Sequence, residues 1–165
     1  AFVVSDSDIG CYSRPETGNH ILIGSEDPEC DERIFVDPDK WDENFTDQWK
    51  TQLYRQAQRY PNLPLSSKVK GVVSLYDVSD DWIPIYDKSS LPGFYMAVGS
   101  SGNQYKNAPI AGVMMAKLIE QCEKGHDHDK DPVKLHLKYI NREIDIGFYS
   151  RNRVINSESS MSVLG

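Results

Sequence analysis

The spacing of apolar and polar residues predicts both strands and helices along this chain. Two short apolar runs, residues 9–13 and 20–23, flank the polar segment 14–18 and predict a β-hairpin with a glycine-containing turn. Residues 69–78 are rich in β-branched side chains and predict a central strand, and residues 94–98 predict another strand. These runs supply the sheet of the predicted fold.

Two longer segments have the periodicity of an amphipathic helix. Asp37 and Pro38 suit the N-cap and the first position of a helix that ends before Pro61. A second helix is predicted over residues 107–124, with Gly125 as its stop. The side chains that recur at every fourth position of the first helix form a stripe, which we interpret as core-facing rather than as a surface for ligand stacking: Trp41, Phe45, Trp49 and Leu53.

The carboxy-terminal part of the chain carries weaker signals. Residues 126–132 alternate histidine with aspartate but lack the central glycine and terminal glutamate of an EF-hand loop, so a solvated linker and no metal site are predicted there. Residues 144–149 predict one further strand before a tail rich in serine and asparagine. The whole pattern predicts an α+β fold, with a mixed or antiparallel sheet and two main helices packed on it.

Charge and cysteine content narrow the classes of partner. The 165 residues carry a net charge of -7, from 25 acidic and 18 basic residues. Nucleic acids and anionic membranes require a basic face, so neither is expected as a partner. Three widely spaced cysteines without a Cys-x-x-Cys pair favour a reducing compartment, the cytoplasm, and no signal peptide or membrane-spanning run is visible.

Residues 94–115 carry the most information about function. A strand-sized run ends at Gly99, a small polar loop follows, and a helix begins near Asn107. Free backbone N–H groups and the positive end of the helix dipole meet at such a junction, which suits an anion or the electron-rich edge of a ring. Lys106 adds a positive charge there. An ordinary strand-to-helix connection, with glycines for tight turning, explains the same pattern.

Four stretches of the chain carry motifs in a fixed order. They are residues 12–16 with Gly18 and Gly24, residues 75–81 with Pro84, residues 91–102 with Ala108, Pro109 and Gly112, and residues 148–151. In that order they look like a Tyr-x-Arg-Pro-Glu hairpin, a Leu-Tyr-x-x-Thr-Pro-Asp segment, a Pro-Gly-Leu-Tyr strand with a Gly-x-Ser-Gly flavin loop, and a closing Phe-Ser-x-x-Arg tail. Together they resemble the carboxy-terminal part of the FAD-dependent oxidases of the D-amino-acid oxidase, sarcosine oxidase and glycine oxidase superfamily.

The resemblance implies which residues face the flavin. In such oxidases the loop and the following helix start face the pyrimidine side of the isoalloxazine ring, where negative charge builds up as the flavin takes a hydride. Lys106 matches a lysine that promotes the reaction of reduced flavin with oxygen, and Tyr76 matches a substrate-facing tyrosine. An exposed helix-start lysine and a core tyrosine are the alternatives from residue type alone. The positions that match the cofactor-binding residues are Gly99, Ser101, Gly102, Asn103, Gln104 and Tyr105.

Departures from the family pattern limit these implications. Ser74 stands where members with covalently held flavin have cysteine, which argues against covalent attachment at that position. Tyr76 stands where members that bind amino-acid carboxylates have arginine, so a simple amino-acid substrate is unsupported. No Gly-x-Gly-x-x-Gly motif occurs in the sequence, so the segment that would bind the ADP half of FAD is missing from it.

The resemblance therefore implies that this chain corresponds to the carboxy-terminal part of an oxidase. Residues 1–70 correspond to part of the substrate-binding domain, residues 71–125 return into the FAD-binding domain, and residues 126–165 are a linker and tail. The intact parent is expected to oxidise a C–N bond of a small-molecule amine or amino acid by hydride transfer to FAD. The fragment alone is expected to retain neither FAD nor activity, because remote binding energy holds the reactive ring in place.

Two other classes of protein remain open. One is a non-enzymatic binding or assembly module that uses the same scaffold and self-associates as a homo-oligomer through uncovered apolar faces. The other is an unrelated small α+β binding domain in which the motif matches are accidental.

Overall fold

The computed structural model of the protein describes residues 2–65, 67–68 and 70–163. They belong to two compact units, Ala1–Leu75 and Tyr76–Gly165. Every strand pairing among the described residues is antiparallel, and both units combine strands with one long helix. This confirms the predicted α+β class. The strands form three separate small sheets, however, where one continuous sheet was expected.

The first unit contains the predicted hairpin. Strands β1 (Val4–Asp6), β2 (Cys11–Glu16) and β3 (His20–Ser25) form a sheet in the order β1-β2-β3. Glu16 pairs with His20, and the turn between them passes through Gly18 and Asn19 at φ values of +70° and +60°. Glycine and asparagine tolerate this left-handed conformation best. Strand β1, which was not predicted, adds a third strand to this sheet.

The first helix, α1, covers Gln48–Ala57, so the prediction that it begins at Asp37 is wrong. The Asp37 carboxylate accepts a hydrogen bond from the Asp39 amide at 2.9 Å, and the Asp37 carbonyl accepts one from the Lys40 amide at 3.0 Å. These contacts close a local turn, because short acidic side chains compete with helical hydrogen bonds for the backbone.

The aromatic stripe is accordingly divided between loop and helix. Trp49 and Leu53 lie on α1, whereas Trp41 and Phe45 precede it. Phe45 is 41% exposed, and the other three stripe residues are only half-buried. The stripe is therefore a partly covered surface rather than the core face that its spacing predicts.

Residues 70–78 contain no strand, so the central strand predicted over residues 69–78 is wrong there; position 69 lies outside the described residues. Val72 is 87% exposed and packs into no sheet. At the end of the segment, the side chain and carbonyl of Asp77 bind the backbone of residues 99–101, as described below. β-branched composition favours a strand only where neighbouring strands cover it.

The second unit contains two hairpin sheets and the main apolar core. Strands β4 (Ile85–Lys88) and β5 (Tyr95–Val98) form one sheet, and β6 (Lys134–Leu137) and β7 (Arg142–Asp145) form the other. The core unites both sheets with a helix, through Tyr86, Met114, Leu118, Val133, Leu135 and Ile146.

The predicted helix of the second unit is confirmed within one residue at each end. Helix α2 covers Ala108–Glu123 and follows a 3-10 turn at Gln104–Asn107. Gly125 adopts a φ of +89°, and its amide donates to the Cys122 carbonyl at 2.9 Å. A glycine in this conformation ends the helix, as its position in the sequence predicts.

The strand predicted over residues 144–149 is only partly correct. β7 ends at Asp145, whose carboxylate accepts a hydrogen bond from the Gly147 amide at 2.8 Å and starts a 3-10 turn over Ile146–Tyr149. Its partner strand β6 was not predicted.

Residues 126–132 are not the solvated linker that their polar composition predicts. His128 is 2% exposed, and its Nδ1 accepts a hydrogen bond from the Val133 amide at 2.9 Å. Its Nε2 lies 3.6 Å from the buried carboxylate of Asp87 on β4. Burial of one neutral imidazole anchors this segment to the second unit.

Candidate functional site

The loop after β5 turns sharply before the helix begins. Gly99, Ser101 and Gly102 have φ values of +70°, +49° and +75°. A serine in this left-handed region is strained, and here the Ser101 side chain is fully buried with its hydroxyl donating to the Gly99 carbonyl at 3.2 Å. The loop therefore has one defined conformation that its surroundings must hold in place.

Asp77 holds this loop through its side chain and its backbone. Its carboxylate accepts hydrogen bonds from the amides of Gly99 at 2.9 Å and Ser100 at 3.0 Å, and from the Ser100 hydroxyl. Its carbonyl accepts one from the Ser101 amide at 3.1 Å. Partial loss of hydration raises the pKa of this carboxyl, but the hydrogen bonds from Ser100 and Gly99 outweigh it and lower the pKa overall.

These contacts change the expected chemistry of the loop. The sequence predicts free N–H groups at the strand-to-helix junction, yet the amides of Gly99, Ser100 and Ser101 already donate to Asp77. The Gly102 amide donates to no acceptor within the part of the chain that the structure describes. The loop thus offers one backbone donor in place of a cluster of them.

Tyr76 lies directly over the loop. Its ring approaches Gly102 so closely that a Cβ atom added there would lie 2.8 Å from the ring. The side chain is 56% exposed, so the alternative of a core tyrosine does not apply. Residues 99–102 therefore pack against the Tyr76 ring and bind the Asp77 side chain and carbonyl.

The side chains that follow the loop form a polar network. The Tyr86 hydroxyl donates to Gln104 Oε1 at 3.0 Å, and Asn107 Nδ2 donates to the same oxygen at 3.1 Å. Gln104 Nε2 in turn donates to Asn103 Oδ1. Tyr105, by contrast, is 98% exposed. The structure thus brings Asn103 and Gln104 together and leaves Tyr105 in solvent.

A cleft of about 310 Å³ adjoins this network in the second unit. Lys106 is the one charged side chain among the described residues that line it, and amide groups lie beside it. Trp82, Phe148 and Tyr149 supply aromatic surface. A positive charge, amide donors and aromatic walls suit a flat, electron-rich molecule.

Two buried carboxylates hold residues 148–160, the tail that lines this cleft. Asp81 is fully buried and accepts hydrogen bonds from Arg153 Nε at 2.9 Å and from the Asn156 amide at 3.2 Å. The Arg153 hydrogen bonds outweigh the effect of burial and hold the pKa of Asp81 far below its usual range. Asp87, also fully buried, accepts from Arg151 Nη1 at 2.9 Å.

Some contributors to this site were given no role in it by the sequence, although Asp77 and residues 148–151 lie in stretches that resemble the family. Asp77 lies 22 positions before Gly99, so no local pattern links the two, although the run of acids at 77, 80 and 81 was visible. Trp82 and the tail residues reach the cleft only through tertiary packing.

Within residues 2–65, 67–68 and 70–163, no group of three or more His, Cys, Asp or Glu side chains is arranged to hold a metal ion. None of the helices in that part of the chain has the length and apolarity that crossing a membrane requires.

Comparison with known families gives a match. The model of a family described as FAD dependent oxidoreductase (DAO) matches residues 1–118, which is most of the chain. No curated protein and no solved structure matches. The matched range includes Tyr76, Asp77, the loop and Lys106, whereas the tail residues of the cleft lie beyond it.

Proposed function

This chain belongs to the family of FAD-dependent oxidoreductases, and on that basis we propose that it supplies the flavin-facing part of an enzyme that oxidises a C–N bond in an amine or amino acid. The observation that carries the proposal is the ordered loop at residues 99–102 beside a cleft lined by Lys106. The order of motifs favours the D-amino-acid oxidase and sarcosine oxidase branch within the family.

The residues at the loop fit the ring portion of FAD. The Gly102 amide, which has no acceptor among the described residues, is a donor for the carbonyl oxygens and ring nitrogens of a flavin. The amide side chains of Asn103 and Gln104 and the Lys106 ammonium group are further donors. The closeness of Gly102 to Tyr76 leaves no room for a side chain at this position. When bound, the flavin would accept the hydride from the substrate carbon and pass the electrons on to oxygen or another acceptor.

Each proposed residue has a distinct role. Gly99, Ser101 and Gly102 give the loop its shape, and Asn103, Gln104 and Tyr105 are proposed to line the ring. Lys106 is proposed to place a positive charge next to the ring and so favour the reaction with oxygen. Tyr76, half of whose surface is exposed, is proposed to face the substrate.

The substrate class is constrained by what stands at two positions. Tyr76 replaces the arginine that amino-acid-binding relatives use for a carboxylate, which supports an amine or a modified amino acid over a simple amino acid. Ser74 offers no thiol for covalent attachment, so FAD is proposed to be held non-covalently at this position.

The 165 residues by themselves are proposed to be inactive and not to retain FAD. Their sequence contains no Gly-x-Gly-x-x-Gly segment, and the contacts to the ADP half of the cofactor would supply much of its affinity. Cys11, Cys30 and Cys122 carry free thiols, which supports a reducing compartment such as the cytoplasm.

The proposal is tested by flavin absorbance of the purified product of the complete reading frame. A yellow complete protein and a colourless 165-residue chain are expected, and a complete protein that stays colourless with added FAD would favour a non-enzymatic binding or assembly module.

A glycine pair provides a matched control within this experiment. Gly102→Ala is expected to weaken flavin binding by about tenfold, because the site has a left-handed φ and the new Cβ would meet Tyr76. Gly112→Ala on α2 meets nothing within 4 Å and should leave binding unchanged. Equal flavin content in both variants would show that the loop at residues 99–102 does not contribute to flavin binding.

A further inference from the structure

The contacts of Asp77 with the loop have the arrangement of an anion in a backbone nest. Successive N–H groups, from Gly99 and Ser100, converge on one carboxylate at 2.9 Å and 3.0 Å. Such concavities commonly bind phosphate or carboxylate groups from outside the chain. Here the anion is a side chain of the same unit, and the Ser100 hydroxyl also donates to it.

The loop at residues 99–102 needs contacts from a residue outside it, such as Asp77, to keep its conformation. Three of its four residues have positive φ values, and one of them is the buried Ser101. Strained conformations persist only when surrounding contacts determine them. Asp77 contacts the first three residues of the strained segment, since its carboxylate binds the amides of Gly99 and Ser100 and its carbonyl binds the amide of Ser101.

We propose that Asp77 is the positioning residue of the loop at residues 99–102, and that it acts as a built-in anion that fills the nest and keeps external anions out. Two consequences follow. The loop conformation depends on a carboxylate at position 77, and an external phosphate or carboxylate finds no vacant pair of amides at Gly99 and Ser100. Among the described backbone amides of residues 99–102, the one left for a ligand is that of Gly102, which suits a neutral carbonyl rather than a full negative charge.

The proposal concerns contacts within the chain and does not depend on flavin binding. It is tested on the 165-residue chain by amide hydrogen exchange, measured residue by residue with NMR. In Asp77→Ala, the amides of Gly99 and Ser100 are expected to exchange at least about tenfold faster, while the amides of α2 stay protected. Asp80→Ala is the matched control, because Asp80 is an exposed acid three positions further on.

Anion rescue separates this role from a general loss of packing. Excess sodium acetate or sodium phosphate, compared with sodium chloride at equal ionic strength, is expected to restore protection of Gly99 and Ser100 in Asp77→Ala by binding in the vacated nest. Unchanged exchange in Asp77→Ala would overturn the proposal. Accelerated exchange that neither acetate nor phosphate reverses would overturn it too.

The unmodified chain gives a test that needs no variant to fold. Titration with sodium phosphate is expected to leave the amide resonances of Gly99 and Ser100 unshifted, because Asp77 already occupies their donors. A saturable phosphate-dependent shift at these two amides would show a vacant nest and contradict the proposal. Asp77→Asn, which keeps one acceptor oxygen of the same shape, is expected to show intermediate exchange rates.

Discussion

At the scale of single residues, the loop after β5 shows how a few hydrogen bonds change the meaning of a motif. Its glycines and its neighbouring lysine predict a site for an anion. In the structure, Asp77 occupies the amides of Gly99 and Ser100, and Lys106 lines the adjoining cleft. The available positive charge therefore lies at Lys106 rather than on the loop backbone.

Lys106 is the residue whose replacement should separate the two halves of the proposed reaction. In the complete flavoprotein, Lys106→Met is expected to slow the reaction with oxygen by about tenfold, which equals roughly 1.4 kcal/mol of transition-state stabilisation. Flavin reduction by substrate should change much less. Stopped-flow absorbance measures both half-reactions separately.

Lys117→Met is the matched control for that experiment. Lys117 lies on α2 and pairs with Glu120 at 3.6 Å, so its removal takes away one lysine without altering the cleft. If Lys106→Met slowed reduction and reoxidation equally, its proposed role in the oxygen reaction would be wrong.

At the scale of elements, buried ion pairs decide where the carboxy-terminal segment lies. The strand β7 ends in a 3-10 turn, and the residues after it are held by Arg151 on Asp87 and by Arg153 on Asp81. Both carboxylates are fully buried. These contacts place Phe148 and Tyr149 on the wall of the cleft.

Removing one partner of such a buried ion pair should lower the free energy of unfolding. Arg153→Met is expected to reduce the free energy of unfolding by about 3–5 kcal/mol, because it leaves the Asp81 carboxylate buried without its counter-ion. Urea denaturation followed by circular dichroism measures the change. Arg142→Met, at an exposed position on β7, should change stability by less than about 0.5 kcal/mol.

A double variant identifies the cause of that loss. Asp81→Asn combined with Arg153→Met removes both charges, so it should be less destabilised than Arg153→Met alone. If the double variant lost as much stability or more, the unpaired carboxylate would not be the reason.

At the scale of the whole molecule, the family match agrees with the order of the motifs. Histidine is the residue type whose ordinary pKa lies nearest to neutral pH, and among the four histidines His128 is the buried one. Burial lowers its pKa below 6.5, although Asp87 and Asp129 favour the charged form. Lys88 and His126 disfavour the charged form. Arg151 also lies nearby, on the carboxylates of Asp87 and Asp129.

Stability should therefore decrease as the medium becomes mildly acidic. The unfolded chain binds a proton on His128 more readily than the folded chain does. The contribution of neutral His128 to the free energy of unfolding is therefore complete above about pH 6.5, and it is lost as the pH falls through the lower folded-state pKa. Protonation would also place a hydrogen on Nδ1, which faces the Val133 amide. Thermal unfolding between about pH 7.5 and pH 5 measures the effect.

Histidine variants assign this pH dependence. His128→Gln should flatten the stability profile over the same range, whereas His136→Gln, at an exposed position on β6, should leave it unchanged. The carboxylates affect stability over a separate, more acidic pH range. Hydrogen bonds from Arg151 and Lys88 lower the pKa of Asp129 to about 2, so the contribution of Asp129 to stability persists until well below pH 4. A profile that His128→Gln left unaltered would assign the mild-acid loss to another group.

The sequence by itself determined the features that depend on neighbours along the chain. The β2–β3 hairpin follows from two apolar runs around Gly18, and α2 follows from its apolar period and the stop at Gly125. The α+β class and the loop between β5 and α2 were predictable for the same reason, because turns and caps are set by local backbone preferences.

Tertiary structure alone decided the features that join distant residues. The contact between Asp77 and Gly99, the burial of His128 beside Asp87, and the position of the tail each connect segments 22 or more positions apart. The segment at residues 70–78 carries the composition of a strand but pairs with no strand. Local preference cannot specify such partners, because their free energy comes from packing and hydrogen bonds that exist only once both segments have met.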